Sequence, residues 1–177
     1  MKKYELTEET VTVYGKTLYR IRAVRDFGSV KTGEFGGYIE KEENLSHFGN
    51  AWVSGNAWVF DNARVYDNAW VFGNAWVFDN ARVYDDTWVY GNARVYDNAW
   101  VFGNAWVFGN AKVYDDAWVS GDARVYGDAR VSGDARVFGN AWVYGEARVF
   151  GNAWVYGEAR VSGNAWVYGN AEVFNTR

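Results

Sequence analysis

The side chains best suited to act on another molecule recur here at a fixed interval of six. From Gly49 to Phe174 the chain repeats the unit [Gly/Asp]-[Asn/Asp/Glu]-Ala-X-Val-[Phe/Tyr/Ser] twenty-one times, without insertion or deletion. Position X holds all eleven Trp of the sequence, eight Arg, Lys112 and Glu172. Indole rings offer flat apolar platforms, and guanidinium groups stack on them or attract anions. This is the chemistry of recognition rather than of bond-making. Other reactive types are sparse: Cys is absent, and His47 is the one His. Asp61-Asn62, Asp85-Asp86 and Asp115-Asp116 supply oxygen donors, but without the dense spacing of a calcium loop. Solvated turn residues explain them, so no metal site is expected. No Gly-rich phosphate loop leads into a helix.

Composition narrows the classes further. The 177 residues amount to one domain's worth of chain, with 20% aromatic residues and no Pro. A chain without Pro suits continuous β-ladders, which need every backbone N–H. Without Cys there is no disulfide framework and no thiolate nucleophile, which fits a reducing cytoplasm. Net charge is −4. Residues 1–48 balance eight basic against eight acidic side chains, so the repeats carry the excess of acid. That argues against general nucleic-acid affinity, which needs clustered positive charge. No apolar run approaches the roughly 18 residues of a membrane span, and the N-terminus lacks the apolar core of a signal peptide.

A strict short period means a solenoid, in which each repeat buries its apolar side only against its neighbours. Ala-X-Val-[Phe/Tyr/Ser] alternates as a short strand. Unpaired charge stacked in a core would be prohibitive. Position X therefore faces out together with Phe/Tyr/Ser, while Val and Ala face in. Val recurs from Val53 to Val173 without exception, and Ala from Ala51 to Ala171 except at Thr87. The Gly/Asp and Asn/Asp/Glu pair makes the corners. Residues 1–48 do not repeat. Thr10 to Tyr14 and Thr17 to Val24 alternate around a Gly15-Lys16 turn, which predicts a β-hairpin. Glu43 to Phe48 fits the hexapeptide register imperfectly, with Leu45 at the Ala position and His47 at the inward Val position. The expected organisation is an N-terminal cap over 1–48 and a repeat domain over 49–177.

Re-phased as Val-[Phe/Tyr]-[Gly/Asp]-Asn-Ala-[Trp/Arg], the unit resembles the hexapeptide signature of left-handed β-helix proteins. Val53 with Ala57, Val59 with Ala63, and so on to Val167 with Ala171, carry the likeness. The resemblance implies an all-β fold: a left-handed parallel β-helix, triangular in section, with three hexapeptides per coil and about seven coils. The segments Arg25 to Lys31, Gly36-Gly37-Tyr38-Ile39 and Leu45-Ser46 also resemble a prophage-associated subgroup described as transferases.

With eighteen residues per coil, position X forms three columns. The first holds Trp52, Trp70, Trp88, Trp106, Arg124, Trp142 and Arg160, and is the most aromatic. The second holds Trp58, Trp76, Arg94, Lys112, Arg130, Arg148 and Trp166, with four basic residues in succession. The third holds Arg64, Arg82, Trp100, Trp118, Arg136, Trp154 and Glu172. A corner row, Asp61, Asp79, Asp97 and Asp115, runs beside the second column. Stacking within columns pins strand register. An aromatic surface this large also reads as an interface. Trp52, Trp70, Trp88, Trp106 and Trp142 are the expected aromatic contacts, and Arg94, Lys112, Arg130 and Arg148 the expected contacts for an acidic partner.

The left-handed β-helix family includes many CoA-dependent acyltransferases, in which a His usually acts as general base. That resemblance would cast His47 in the role, but its inward register reads as packing, and no loop leaves the coils to shape a pocket. The leading expectation is a non-enzymatic structural or interaction protein without a cofactor, binding another protein or copies of itself, including through an open C-terminal coil. The alternatives are an acyltransferase-like protein, and Trp columns serving as platforms for sugars or unpaired bases.

Overall fold

A computed structural model describes residues 1–175 of the chain. It is an all-β parallel solenoid of about eight turns. One 3₁₀ turn at Glu42–Asn44 is the only helical element among the described residues. Each hexapeptide contributes a short strand centred on X-Val, such as Trp70–Val71, Trp76–Val77 and Arg82–Val83. Strands pair in parallel with those eighteen residues away, as Trp70 does with Trp88 and Arg94 with Lys112. The result is three sheets, two of seven strands and one of ten.

The interior is Val and Ala. From Ala51 to Val155 every such residue at the inward positions is buried, and so is Thr87. Larger aliphatic residues enter this interior only before the repeats, where Ile39 lies opposite Val59 and Leu45 opposite Val65. At the corners the first residue takes positive φ, as at Gly109 (φ 69) and Asp79 (φ 57). The second corner residue often carries an amide that bonds to the next coil: Asn92 Nδ2 donates to Asn110 Oδ1 at 3.1 Å, and Asn110 Nδ2 to Asp128 Oδ1 at 3.0 Å.

The ten-stranded sheet is longer because it includes β1 (Tyr4–Val13), β2 (Lys16–Ala23) and β3 (Phe35–Ile39). β1 and β2 form an antiparallel hairpin. Its turn is Tyr14-Gly15, both at positive φ (48° and 77°), one residue earlier than the sequence suggested. β1 also begins much earlier than Thr10. Its start is held by Tyr4, whose ring stacks on His47 at 4.3 Å and meets Trp52 edge-on at 6.4 Å. β3 lies parallel on the first repeat of that sheet, with Tyr38 opposite Trp58. Leu45 bridges to Val65 on a second sheet, so residues 35–45 supply an incomplete further coil.

The N-terminal edge of the first repeat coil is thereby satisfied on all three sheets, each by a different donor. The Tyr38 N–H donates to the Ala57 carbonyl at 2.9 Å. The Asn44 side-chain amide donates to the Ala63 carbonyl at 2.9 Å. The Lys3 ammonium donates to the Ala51 carbonyl at 2.7 Å. Lys3 is fully buried and lies 4.9 Å from the Phe27 ring centre. Burial, then the Arg25 charge, lowers its pKa to about 8.

A measurable pH dependence follows. The folded chain releases the Lys3 proton near pH 8, while the unfolded chain holds it to the ordinary value of 10.5. The penalty for burying the charge is thus fully present below pH 8, and stability rises as pH increases above it. Urea unfolding at pH 7.5 and pH 9.5 should show the wild type gaining stability relative to Lys3→Met. Parallel pH profiles of the two proteins would refute the assignment.

Candidate interaction faces

Alternation along each strand directs position X away from the Val/Ala core, and the three columns stand as eighteen-residue stacking requires. Arg94, Lys112, Arg130 and Arg148 lie in register on consecutive strands. So do Trp70, Trp88 and Trp106, followed by Arg124 and Trp142.

Trp52 departs from the expected exposed column. It is fully buried, with the Phe27 ring 5.3 Å away and Tyr4 beside it. Its position X points outward from the coil, but the N-terminal segment lies over it. An exposed contact at Trp52 is therefore corrected: the accessible part of this column begins at Trp70. Nor do the four Trp form one stack. Trp88 and Trp106 stack at 5.3 Å, whereas Trp70 leans onto the core. Trp70, Phe72, Trp88, Ser54 and Ser29 line a shallow apolar hollow. Trp88 is the most exposed of the accessible column's Trp, at 42%.

Cations in the columns sit on rings wherever a ring is next in line. Arg124 lies between Trp106 and Trp142, at 4.8 and 5.1 Å from their centres, and Arg136 lies between Trp118 and Trp154. Each such contact is worth about 0.5–1 kcal/mol at an exposed site. The basic column is different. Arg94 rests on Trp76 at 4.7 Å and Arg148 on Trp166 at 5.1 Å, but Lys112 and Arg130 have cations both above and below. Like charges directly opposite in a sheet are destabilising. Among the described residues the neighbouring Asp row does not pair with them, and its one cation is Lys16 of the hairpin, bound to Asp61. Burial, then the Asp97 and Asp61 carboxylates, raise the Asp79 pKa, although the Asp97 N–H partly counters this.

The second column is partly covered by the chain itself. Val13 and Leu18 of the hairpin, with Tyr38, form a cluster with the outward ring of Phe60, against which Trp58, Trp76 and Phe78 pack. Tyr14 meets Trp76 edge-on at 6.3 Å. Sequence reasoning missed this contact. Its signal was the pair of apolar residues Val13 and Leu18 on the same side of the hairpin.

His47 is half-buried among packing residues. Its Nδ1 accepts from the Lys3 N–H at 3.3 Å, its Nε2 lies 3.6 Å from Glu42, and burial lowers its pKa. Among the described residues no group of three or more His, Cys, Asp or Glu is placed to hold a metal ion, and no helix is long and apolar enough to cross a membrane.

The array has a counterpart among known families. Residues 63–78, 75–91, 89–103, 93–109 and 129–145 match the YdcK Beta solenoid repeat. The matched stretches all lie in the hexapeptide region, and together they span less than half of the chain. No curated protein matches the sequence.

Proposed function

We propose that this chain is a non-enzymatic interaction protein: a left-handed hexapeptide β-helix, capped by its N-terminal hairpin, that presents aromatic and basic ladders to a protein partner or to copies of itself. The observation that carries this reading is the hairpin seated on Phe60, Trp58, Trp76 and Phe78. Within one molecule, an extended segment bearing aliphatic side chains already docks on an outward aromatic row. The rows of Trp70, Phe72, Trp88, Tyr90 and Trp106 repeat that chemistry without a covering segment. The basic column adds charge selectivity. Lys112 and Arg130 bear a like-charge cost that an acidic segment would relieve. The hexapeptide signature supports left-handedness, and the β1–β2 hairpin with β3 supports the capping role.

Poly-L-glutamate tests the basic column, with Trp fluorescence as the readout. It should bind at low salt and dissociate as ionic strength rises, since exposed charges are screened beyond about 10 Å at 0.1 M salt. Lys112→Glu/Arg130→Glu should abolish the binding. Binding that survives in that variant would sink the assignment. Trp70→Ser/Trp88→Ser should leave the circular dichroism spectrum unchanged; unfolding would show that these rings are structural.

A further inference from the structure

The two ends of the solenoid are unlike. The Ala51, Ala57 and Ala63 carbonyls of the N-terminal edge each have a donor. At the other end the Glu158 N–H donates to the Asn175 carbonyl at 3.1 Å, whereas, among the described residues, the N–H groups of Arg160, Trp166 and Glu172 in the last coil have no acceptor on a further coil. In the preceding coil the outward residues donate forward: Trp142 to Ala159, Arg148 to Ala165 and Trp154 to Ala171, at 2.8, 2.9 and 2.8 Å. The corresponding N–H groups of Arg160, Trp166 and Glu172 belong to the outermost strand of each sheet. Side chains there are unusually bare. Trp166, Tyr168 and Phe174 are 58%, 59% and 57% exposed, and Ala165 and Ala171, at inward positions, are exposed as well. Unpaired strand edges over an open apolar core form a template for another chain.

The geometry points to a second copy of this chain as the occupant, joined end to end about a two-fold axis through the Trp166 face. A two-fold axis across the solenoid reverses the sense of the coil, so all three terminal strands meet their counterparts antiparallel. Outward residues must then oppose outward residues, because a slip of one reverses the faces. An axis through the Trp166 face sets Trp166 against Trp166, Arg160 against Glu172 of the second copy, and Glu172 against its Arg160. An axis through the Arg160 face sets Arg160 against Arg160, and one through the Glu172 face sets Glu172 against Glu172. A slip of two residues sets Arg160 against Phe174 and Glu172 against Ser162. Only the first arrangement pairs both charges, and it does so twice by symmetry. Glu172 is the single acidic residue at position X in the whole array, and it stands at this edge. In the single chain both charges lean back on the preceding coil, with Glu172 accepting from the Tyr156 hydroxyl at 3.2 Å and Arg160 resting on the Trp142 ring at 4.8 Å, so each exchanges that contact for its partner across the new edge. Trp166, Arg160 and Glu172 each bring an edge N–H with no acceptor among the described residues, so each opposed pair can be a hydrogen-bonded one. Ala165, Val167, Ala171 and Val173 of the two copies would close one continuous core.

This inference rests on the reading of the chain as an interaction protein, but uses a different surface, and charge exchange separates the two. Sedimentation equilibrium of the full chain should show a dimer. Arg160→Glu and Glu172→Arg should each weaken it at least about tenfold, with circular dichroism unchanged. The double variant Arg160→Glu/Glu172→Arg should restore it. A wild-type chain that stays monomeric at the highest concentration overturns the end-to-end dimer, as does a double variant no tighter than the singles. Dissociation by Trp70→Ser/Trp88→Ser instead of by the end variants also overturns it, while leaving the lateral faces as the interface. Failure of poly-L-glutamate to bind a chain that passes the charge exchange counts against the lateral reading alone.

Discussion

Trp52→Ala will cost about 3–5 kcal/mol of unfolding free energy, the range for removing a buried large aromatic, while Trp88→Ala will cost about 1–3 kcal/mol. The two residues occupy the same position of the same unit, in the same column, two coils apart. Trp52 has no exposed surface, and Tyr4 and Phe27 pack against its ring. Removing it leaves a cavity that the hairpin and the first coil cannot both collapse into. Trp88 loses a stack with Trp106 and an edge contact with Phe72, a contribution of about 0.5–1.5 kcal/mol per aromatic pair. Urea unfolding monitored by circular dichroism measures both. Equal losses would mean that the N-terminal segment does not hold Trp52 as described.

Gly109→Ala will destabilise the chain by about 2–5 kcal/mol, and Gly163→Ala by only about 1–2 kcal/mol. Both glycines have positive φ, 69° and 60°, so both variants place an alanine in the left-handed region at about 1–2 kcal/mol. Space separates them. A Cβ at Gly109 would stand 3.0 Å from the Gly127 nitrogen of the next coil, whereas one at Gly163 meets nothing within 4 Å. The backbone has no room to yield there, because each coil is fixed by the ones above and below. The overpacking adds about 1–3 kcal/mol. Thermal unfolding of the two variants side by side gives the difference directly. These values are for the single chain at low concentration; where the proposed end-to-end dimer forms, the second copy would cover the terminal coil and bring the cost of Gly163→Ala toward that of Gly109→Ala.

Most of the solenoid was legible because the unit states its own orientation. Charges at Arg64, Lys112 and Glu172 cannot stack inside a core, so one substitution pattern fixed inside and outside for the whole array. The eighteen-residue pairing then sorted the columns, and every pairing from Trp52 with Trp70 to Trp154 with Glu172 follows it. The ends were less legible, for a physical reason. Periodicity describes what a coil does between two like neighbours, and the first coil has a different neighbour. Trp52 is written like Trp88, and nothing in its own hexapeptide says that Tyr4 and Phe27 will cover it. Lys3 was hidden for the same cause: a Lys in a charged N-terminal run reads as solvated, yet the Ala51 carbonyl needed a donor and the Lys3 stem was long enough to bring one. The divergence of Trp70 from Trp88 depends on rotamers, which the repeat does not encode.

The interchangeable Val/Ala interior also governs how such a chain could change by copying error. Gain or loss of a full eighteen-residue stretch would lengthen or shorten the prism and leave every column aligned. Gain or loss of one six-residue unit would leave the buried lattice equally intact, yet carry everything downstream around by one side. The Arg94 to Arg148 column would then be cut and spliced onto a Trp column. A single slippage event could thus re-sort the whole exterior while the interior, and with it the fold, stayed the same.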